Sequence, residues 1–139
     1  MPSKVTEVPA ASPAEVIAHF SKRLSLETDC SDVNAAMSSG QQDFVLIDVR
    51  SPQLYAAGHV PGAINMLVGK MTQTRLSAWA PDAQFVVYCA GPHCNGADKG
   101  ALRLAELGRK VKIMIGGITG WADEGLAFET ANGSGEVTA

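Results

Sequence analysis

Apolar positions change their spacing along the chain. Ser12-Pro13-Ala14-Glu15 reads as a helix start, with a capping serine, a proline at the first helical position and a glutamate completing the capping box. Val16, Ile17, Phe20 and Leu24 follow at helical intervals and predict one apolar stripe ending near Leu26. That stripe either packs on the domain or is presented to a partner. Ser31 or Asp32 is placed to cap a second, short helix running through Met37 to a stop at Gly40. From residue 44 onward the apolar positions become unbroken runs. Phe44-Val45-Leu46-Ile47-Asp48-Val49, Phe85-Val86-Val87-Tyr88 and Val111-Lys112-Ile113-Met114-Ile115 read as strands, and 63–66 as a shorter one. Between them, Ser51-Pro52 opens a short helix to about Ala57, and 71–79 is a helical candidate. Ala97, Ala101, Leu104 and Ala105 mark a helix ending at Gly108, and 118–124 a last one. Gly58-His59-Val60-Pro61-Gly62 is a turn.

Strands separated by helices predict an α/β fold with three layers, a central and mostly parallel sheet flanked by helices. The 139 residues suit one domain, expected over 12–131 with the 12–26 helix appended, a loose lead-in over 1–11 and a Gly/Ser/Thr-rich flexible tail over 132–139. In such sheets ligands bind beyond the carboxyl ends of the strands, and Asp48, Cys89 and Gly116 all fall at or near such ends.

A net charge of −3 gives no electrostatic reason to expect nucleic acid or membrane as partners, and no run approaches the roughly 18 apolar residues of a membrane span. Residues 85–121 are locally basic, with Lys99, Arg103, Arg109, Lys110 and Lys112 against Asp98 and Glu106. This reads either as solvated faces or as an anion-friendly site around Cys89, with Lys99 and Arg103 as candidate aids to an anionic donor. Three cysteines, Cys30, Cys89 and Cys94, do not form the dense framework of a disulfide scaffold, and residues 1–7 lack the apolar stretch of a secretory signal. A cytoplasmic chain with reduced thiols is expected.

The candidate chemistry sits at Cys89. It ends a buried strand and precedes the loop Ala90-Gly91-Pro92-His93-Cys94-Asn95-Gly96, after which a helix begins. Loop and helix N–H groups can stabilise a thiolate there, making Cys89 a candidate nucleophile and the loop its substrate cradle. His93 either polarises the site or faces solvent. A zinc site from Cys89, His93 and Cys94 lacks an obvious fourth ligand and Cys-x-x-Cys spacing, so neither metal nor cofactor is expected.

Four blocks now resemble the rhodanese family of single-domain sulfurtransferases. They are Leu46-Ile47-Asp48-Val49-Arg50-Ser51, Tyr55-Ala56-Ala57-Gly58-His59-Val60-Pro61-Gly62-Ala63, Val87-Tyr88-Cys89 and Gly116-Gly117-Ile118-Thr119-Gly120-Trp121. The loop lacks the Arg often found after the family's cysteine, and the stretch from Cys89 to Gly108 is about two residues longer than in common members. Its second thiol resembles a subgroup with a Cys-x-Gly-Pro-x-Cys-Asn-Gly loop.

The resemblance implies a rhodanese-like fold and a thiosulfate sulfurtransferase-type enzyme. Sulfane sulfur would move from a thiosulfate- or persulfide-type donor through a Cys89 persulfide to a thiophilic acceptor. Expected partners are a small sulfur-donor anion and a thiol or cyanide acceptor, with a protein acceptor also possible. It further implies that Asp48 and Arg50 are architectural, as an ion pair or hydrogen bonds, and that His59 and Gly62 shape the turn. Trp121 is expected as a core or wall residue. Cys94 is either a resolving thiol for a sulfenic acid or persulfide on Cys89, or a small helix-start residue without a role. Cys30 lies outside every block and receives no role. Alternatives are a redox-sensing or partner-binding module using the Cys89/Cys94 pair, and a Cys-based phosphatase or arsenate reductase, for which the loop lacks the Arg clamp such chemistry wants.

Overall fold

Periodicity of two decides where Cys89 points. In the computed structural model, which describes residues 1–130, strand β4 (Gln84–Tyr88) alternates its side chains between two cores. Val86 and Tyr88 enter one, while Phe85, Val87 and then Cys89 enter the other. β4 lies at the centre of a five-stranded sheet in the order β1-β5-β4-β2-β3, with every pair parallel. Its neighbours are β2 (Val45–Asp48), paired from Val45↔Phe85 to Asp48↔Tyr88, and β5 (Lys110–Met114), paired from Gln84↔Lys110 to Val87↔Ile113. β1 (Glu27–Thr28) and β3 (Ile64–Asn65) close the two edges. The apolar run of β4 is explained by cover on both faces, and each fully buried Val or Phe side chain contributes about 1.5–3 kcal/mol.

One face is covered by α4 (Gln73–Leu76), a 3₁₀ turn at Val68–Lys70, and α5 (Gly96–Glu106). α5 buries Ala97, Gly100 and Leu104, three or four residues apart, so its small residues bring its axis close to the sheet. A β-carbon on Gly100 would lie 3.2 Å from Val49 Cγ1. The other face carries Cys30 and Val33 of α2 (Cys30–Ser38), Tyr55 of α3 (Pro52–Ala57) and Trp121 of α6 (Gly117–Asp123). Trp121 is a core residue, its indole N–H donating to the Ala127 carbonyl.

The appended helix α1 (Pro13–Leu26) has the expected cap. Ser12 accepts from the Glu15 amide and donates to its carboxylate. No α1 residue is buried, and Ile17 and Leu24 are 65% and 70% exposed. The apolar stripe therefore faces solvent rather than the domain. Among the described residues no helix is long and apolar enough to cross a membrane. The tail expected over 132–139, and the domain end at 131, lie outside the described residues.

Several element boundaries differ from the sequence expectations. Asp29, not Ser31 or Asp32, caps α2, since its extended backbone lets its carboxylate accept from the Asp32 amide. The helix expected over 71–79 shortens to α4, capped by Thr72, with the 3₁₀ turn before it. The last helix begins one residue earlier, at Gly117, because Gly116 and Gly117 both adopt positive φ and turn the chain directly off β5.

Candidate functional site

The row Phe85-Val87-Cys89 delivers the Cys89 side chain to the first turn of α5. Cys89 is 8% exposed, and a β-carbon on Gly96 would lie only 2.7 Å from its Sγ, so a glycine at this helical position makes room for the sulfur. The first-turn N–H groups of α5 have no intrahelical partners, and they favour negative charge. Gly96 N–H lies 3.4 Å from the Cys94 sulfur.

The loop is held at its root by α6. Ile118 N–H donates to the Cys89 carbonyl at 3.0 Å, and both the amide and hydroxyl of Thr119 donate to the Ala90 carbonyl at 2.9 Å. Gly117, at φ 58°, lies so close under this root that an added β-carbon would overlap the Cys89 carbonyl oxygen and come within 2.9 Å of Gly91 N. Gly91 faces Thr119 equally tightly, at 2.8 Å. A turn bond from Cys94 N–H to the Gly91 carbonyl then folds the loop back. The Cys94 and Cys89 sulfurs are joined as a disulfide, with Cα atoms 6.4 Å apart. Pro92, His93, Cys94 and Asn95 are exposed, and Asn95 is the N-cap residue of α5 without a side-chain cap bond.

A cavity of about 230 Å³ opens at the sulfurs. Cys89, Gly91, Pro92, Cys94 and Ala97 line one side, the β5 end with Gly116 and Gly117 the other, and among the described residues Glu27 and Asp98 supply its only charged side chains. Of the two readings of the basic residues of 85–121, this favours solvated faces over an anion-friendly site. Parallel strands put residues 84 and 110 at the amino edge of the sheet, opposite Cys89. Arg109 accordingly donates to the carbonyls of Leu76 and Ala80, both at 2.6 Å, and lies 5.6 Å from the Phe85 ring centroid. Arg103 donates to the Met71 carbonyl instead of reaching the loop. Lys112 lines a separate groove with Thr28 and Asp32, and Lys99 is exposed on α5 without lining the cavity. Glu27 pairs with Arg23 at 2.8 Å. No periodicity marks a two-residue strand, so neither β1 nor Glu27 was legible as part of the site.

Asp48 and Arg50 brace the neighbouring strand end. Asp48 is fully buried and Arg50 nearly so. The guanidinium donates through Nε to both carboxylate oxygens at 3.1 Å, and through Nη2 to Oδ2 at 2.7 Å and to the Gly58 carbonyl at 2.6 Å. Burial alone would pull the Arg50 pKa down, but the hydrogen bonds and charge of Asp48 outweigh it and raise the value. Burial, with Asp48 second, also pushes the Tyr88 hydroxyl above its ordinary range. That hydroxyl accepts from Val60 N–H at 3.0 Å. The Asn65 side-chain amide donates to the carbonyls of Asp48 and Arg50, tying β3 to this strand end. His59 is buried in the turn, stacked on Tyr55 with ring centroids 3.7 Å apart, its Nδ1 2.7 Å from the Tyr55 carbonyl. Gly62 takes φ 85° in the same turn. Asp48, Arg50 and His59 line no part of the Cys89 cavity.

Cys30 is buried on the far side of the Gly116-Gly117 turn, its thiol directed at the Ile115 and Gly117 carbonyls. Burial, followed by the charges of Glu124 and Asp29, pushes its pKa up to about 11. It is a packing residue beneath the turn that forms one wall of the cavity.

Comparison with known proteins adds four findings. The family model described as a rhodanese-like domain matches residues 29–124. The BH2092 protein from Bacillus halodurans is similar over 92% of this chain and 93% of its own, at 34% identity and TM-score 0.83. A thiosulfate sulfurtransferase from Pseudomonas aeruginosa shares the fold at TM-score 0.65 and 20% identity, over 84% of this chain and 22% of its own. Among curated proteins, an HTH-type transcriptional regulator of Mycobacterium tuberculosis, Rv0324, is 38% identical over 88 residues. The match covers 63% of this chain and 38% of the regulator, so the chain spans well under half of that protein.

Proposed function

Because the chain belongs to the rhodanese-like domain family, we propose that it transfers sulfane sulfur with Cys89 as the nucleophile. The observation that carries this reading is the placement of the Cys89 sulfur. It stands on the core face of β4, against the first turn of α5, at the floor of a cavity open to a small donor. The reduced Cys89 thiolate attacks the outer sulfur of the donor. The bond between that sulfur and the rest of the donor breaks, and sulfite leaves from thiosulfate, or a thiolate from a persulfide. The resulting Cys89 persulfide is then attacked at its outer sulfur by an acceptor, a thiol or cyanide, which restores the thiolate. First-turn amides of α5 stabilise negative charge on both forms.

With Glu27 paired to Arg23, Asp98 is the charge that disfavours a dianion such as thiosulfate, so a donor presenting a singly charged persulfide group is the better substrate. No guanidinium lines the cavity, which also separates this site from one built to clamp a phosphoryl or arsenate group. The test is a mass spectrum of the reduced protein after thiosulfate or glutathione persulfide, read alongside steady-state transfer to cyanide. One added sulfur on Cys89 and loss of turnover in Cys89→Ser are expected. Equal turnover in Cys89→Ser would end the reading.

The joined sulfurs of Cys89 and Cys94 favour a second reading, a redox-sensing module. Formation of the 89–94 disulfide under mild peroxide, at a rate far above any sulfur transfer, would support it over the first.

A further inference from the structure

We infer that Cys94 resolves the Cys89 persulfide internally, so that the protein releases sulfide and uses its own second thiol as the sulfur-transfer reductant. The inference rests on the Cys89 persulfide of the proposed reaction and goes beyond it in naming what consumes the sulfur.

Three observations carry it. The two sulfurs meet across the loop, and their Cα atoms, 6.4 Å apart, lie within the roughly 4.4–6.8 Å that a disulfide spans. The closed disulfide is thus accommodated with β4 and α5 intact. The sulfurs also differ in access. Cys89 is buried on the sheet, while Cys94 is exposed on the loop. Finally, both line one cavity with room beside them for an outer sulfur.

The chemistry balances within the chain. The Cys94 thiolate attacks Sγ of the protonated Cys89 persulfide. A bond forms between the two Sγ atoms, the bond from Cys89 Sγ to the outer sulfur breaks, and that sulfur departs as hydrosulfide with the bonding pair and its proton. The sulfane sulfur is reduced to sulfide, and the two thiols are oxidised to the 89–94 disulfide. An external dithiol reductant closes the cycle. It reaches the exposed Cys94 sulfur and expels Cys89, whose thiolate is the one at the helix N-terminus and the better leaving group.

The test is a single turnover without any added acceptor. The full chain is reduced, freed of reductant, and treated under anaerobic conditions with thiosulfate and, in parallel, glutathione persulfide. Trapped sulfide and intact mass are read for wild type, Cys94→Ser and Cys94→Ala. Wild type should release about one sulfide per chain from the donor that loads it and finish as the disulfide. Both Cys94 variants should stop with one added sulfur on Cys89 and release at least tenfold less sulfide. Wild type that retains the added sulfur, or carries it on Cys94 without sulfide release, overturns the inference and leaves the sulfurtransferase reading standing. If neither donor loads Cys89 in the Cys94 variants, the sulfurtransferase reading itself falls, and the inference with it.

Discussion

Replacing Arg50 by Met removes the cation from a buried pair while leaving most of its volume filled. Asp48 then keeps only the Arg50 backbone N–H, at 2.9 Å, as a partner from this pair, and the Gly58 carbonyl loses its guanidinium donor. Breaking a buried ion pair from one side costs about 3–5 kcal/mol, because the surviving charge is left without compensation. For a domain of this size that corresponds to a melting temperature lower by roughly 10–20 °C. Urea titrations of wild type and variant measure the difference directly. Adding Asp48→Leu should recover much of the loss, since an apolar pair of similar volume carries no stranded charge. A deficit below about 1 kcal/mol would refute the assignment of Asp48–Arg50 as a desolvated ion pair.

Gly117→Ala forces a β-carbon into the left-handed region at a cost of about 1–2 kcal/mol, before the overlap with the Cys89 carbonyl is counted. It should lower both urea stability and sulfur transfer, and stability within about 0.5 kcal/mol of wild type would count against the packing described. Cys30, with its pKa pushed up to about 11 from 9.0, should resist alkylation in the folded protein at pH 8 and react only on unfolding. The protonated thiol favours the fold below pH 9, and that contribution fades as pH rises from 9 to about 11, seen as an alkaline loss of stability that Cys30→Ala lacks. Ile17→Ser combined with Leu24→Ser should change unfolding free energy by less than about 0.5 kcal/mol, since α1 buries neither residue; a loss above 2 kcal/mol would show that the helix is packed after all. Asp98→Asn should raise kcat/KM for thiosulfate by up to about fivefold, the effect of roughly 1 kcal/mol of repulsion lifted from a dianion, and the gain should shrink in salt.

The layers and the placement of Cys89 were legible because each rests on a short-range rule. An unbroken apolar run marks a parallel strand, and Phe85, Val87 and Cys89 fall on one face by alternation alone. The Asp48–Arg50 pair was expected from the family resemblance rather than from spacing, and the two side chains do meet, at 2.7 Å. Between the two readings of the basic segment the sequence could not choose, for the opposite reason. Arg109 and Lys110 are near Cys89 in a count along the chain, yet a full helix and the length of a strand carry them to the other edge of the sheet. Glu27 entered the cavity through a two-residue strand, too short for any pattern to report. The stripe on α1 was visible, but its outward aim depends on which neighbours the helix finds, and helical spacing does not encode that.

The alternation of β4 has one more implication. Cys89 is the terminal member of a row of core side chains, whereas Gly91, Pro92 and Cys94, which line the cavity beside it, belong to a loop tied down at its root and through the Cys89–Cys94 bond. The place of the Cys89 sulfur is thus registered by the hydrophobic interior, and the shape of the cavity beside it by a segment outside that interior. Under the proposed sulfur transfer, a change at Pro92 would retune what the cavity admits while the sulfur keeps its place. Selectivity and reactivity would then be separately adjustable parts.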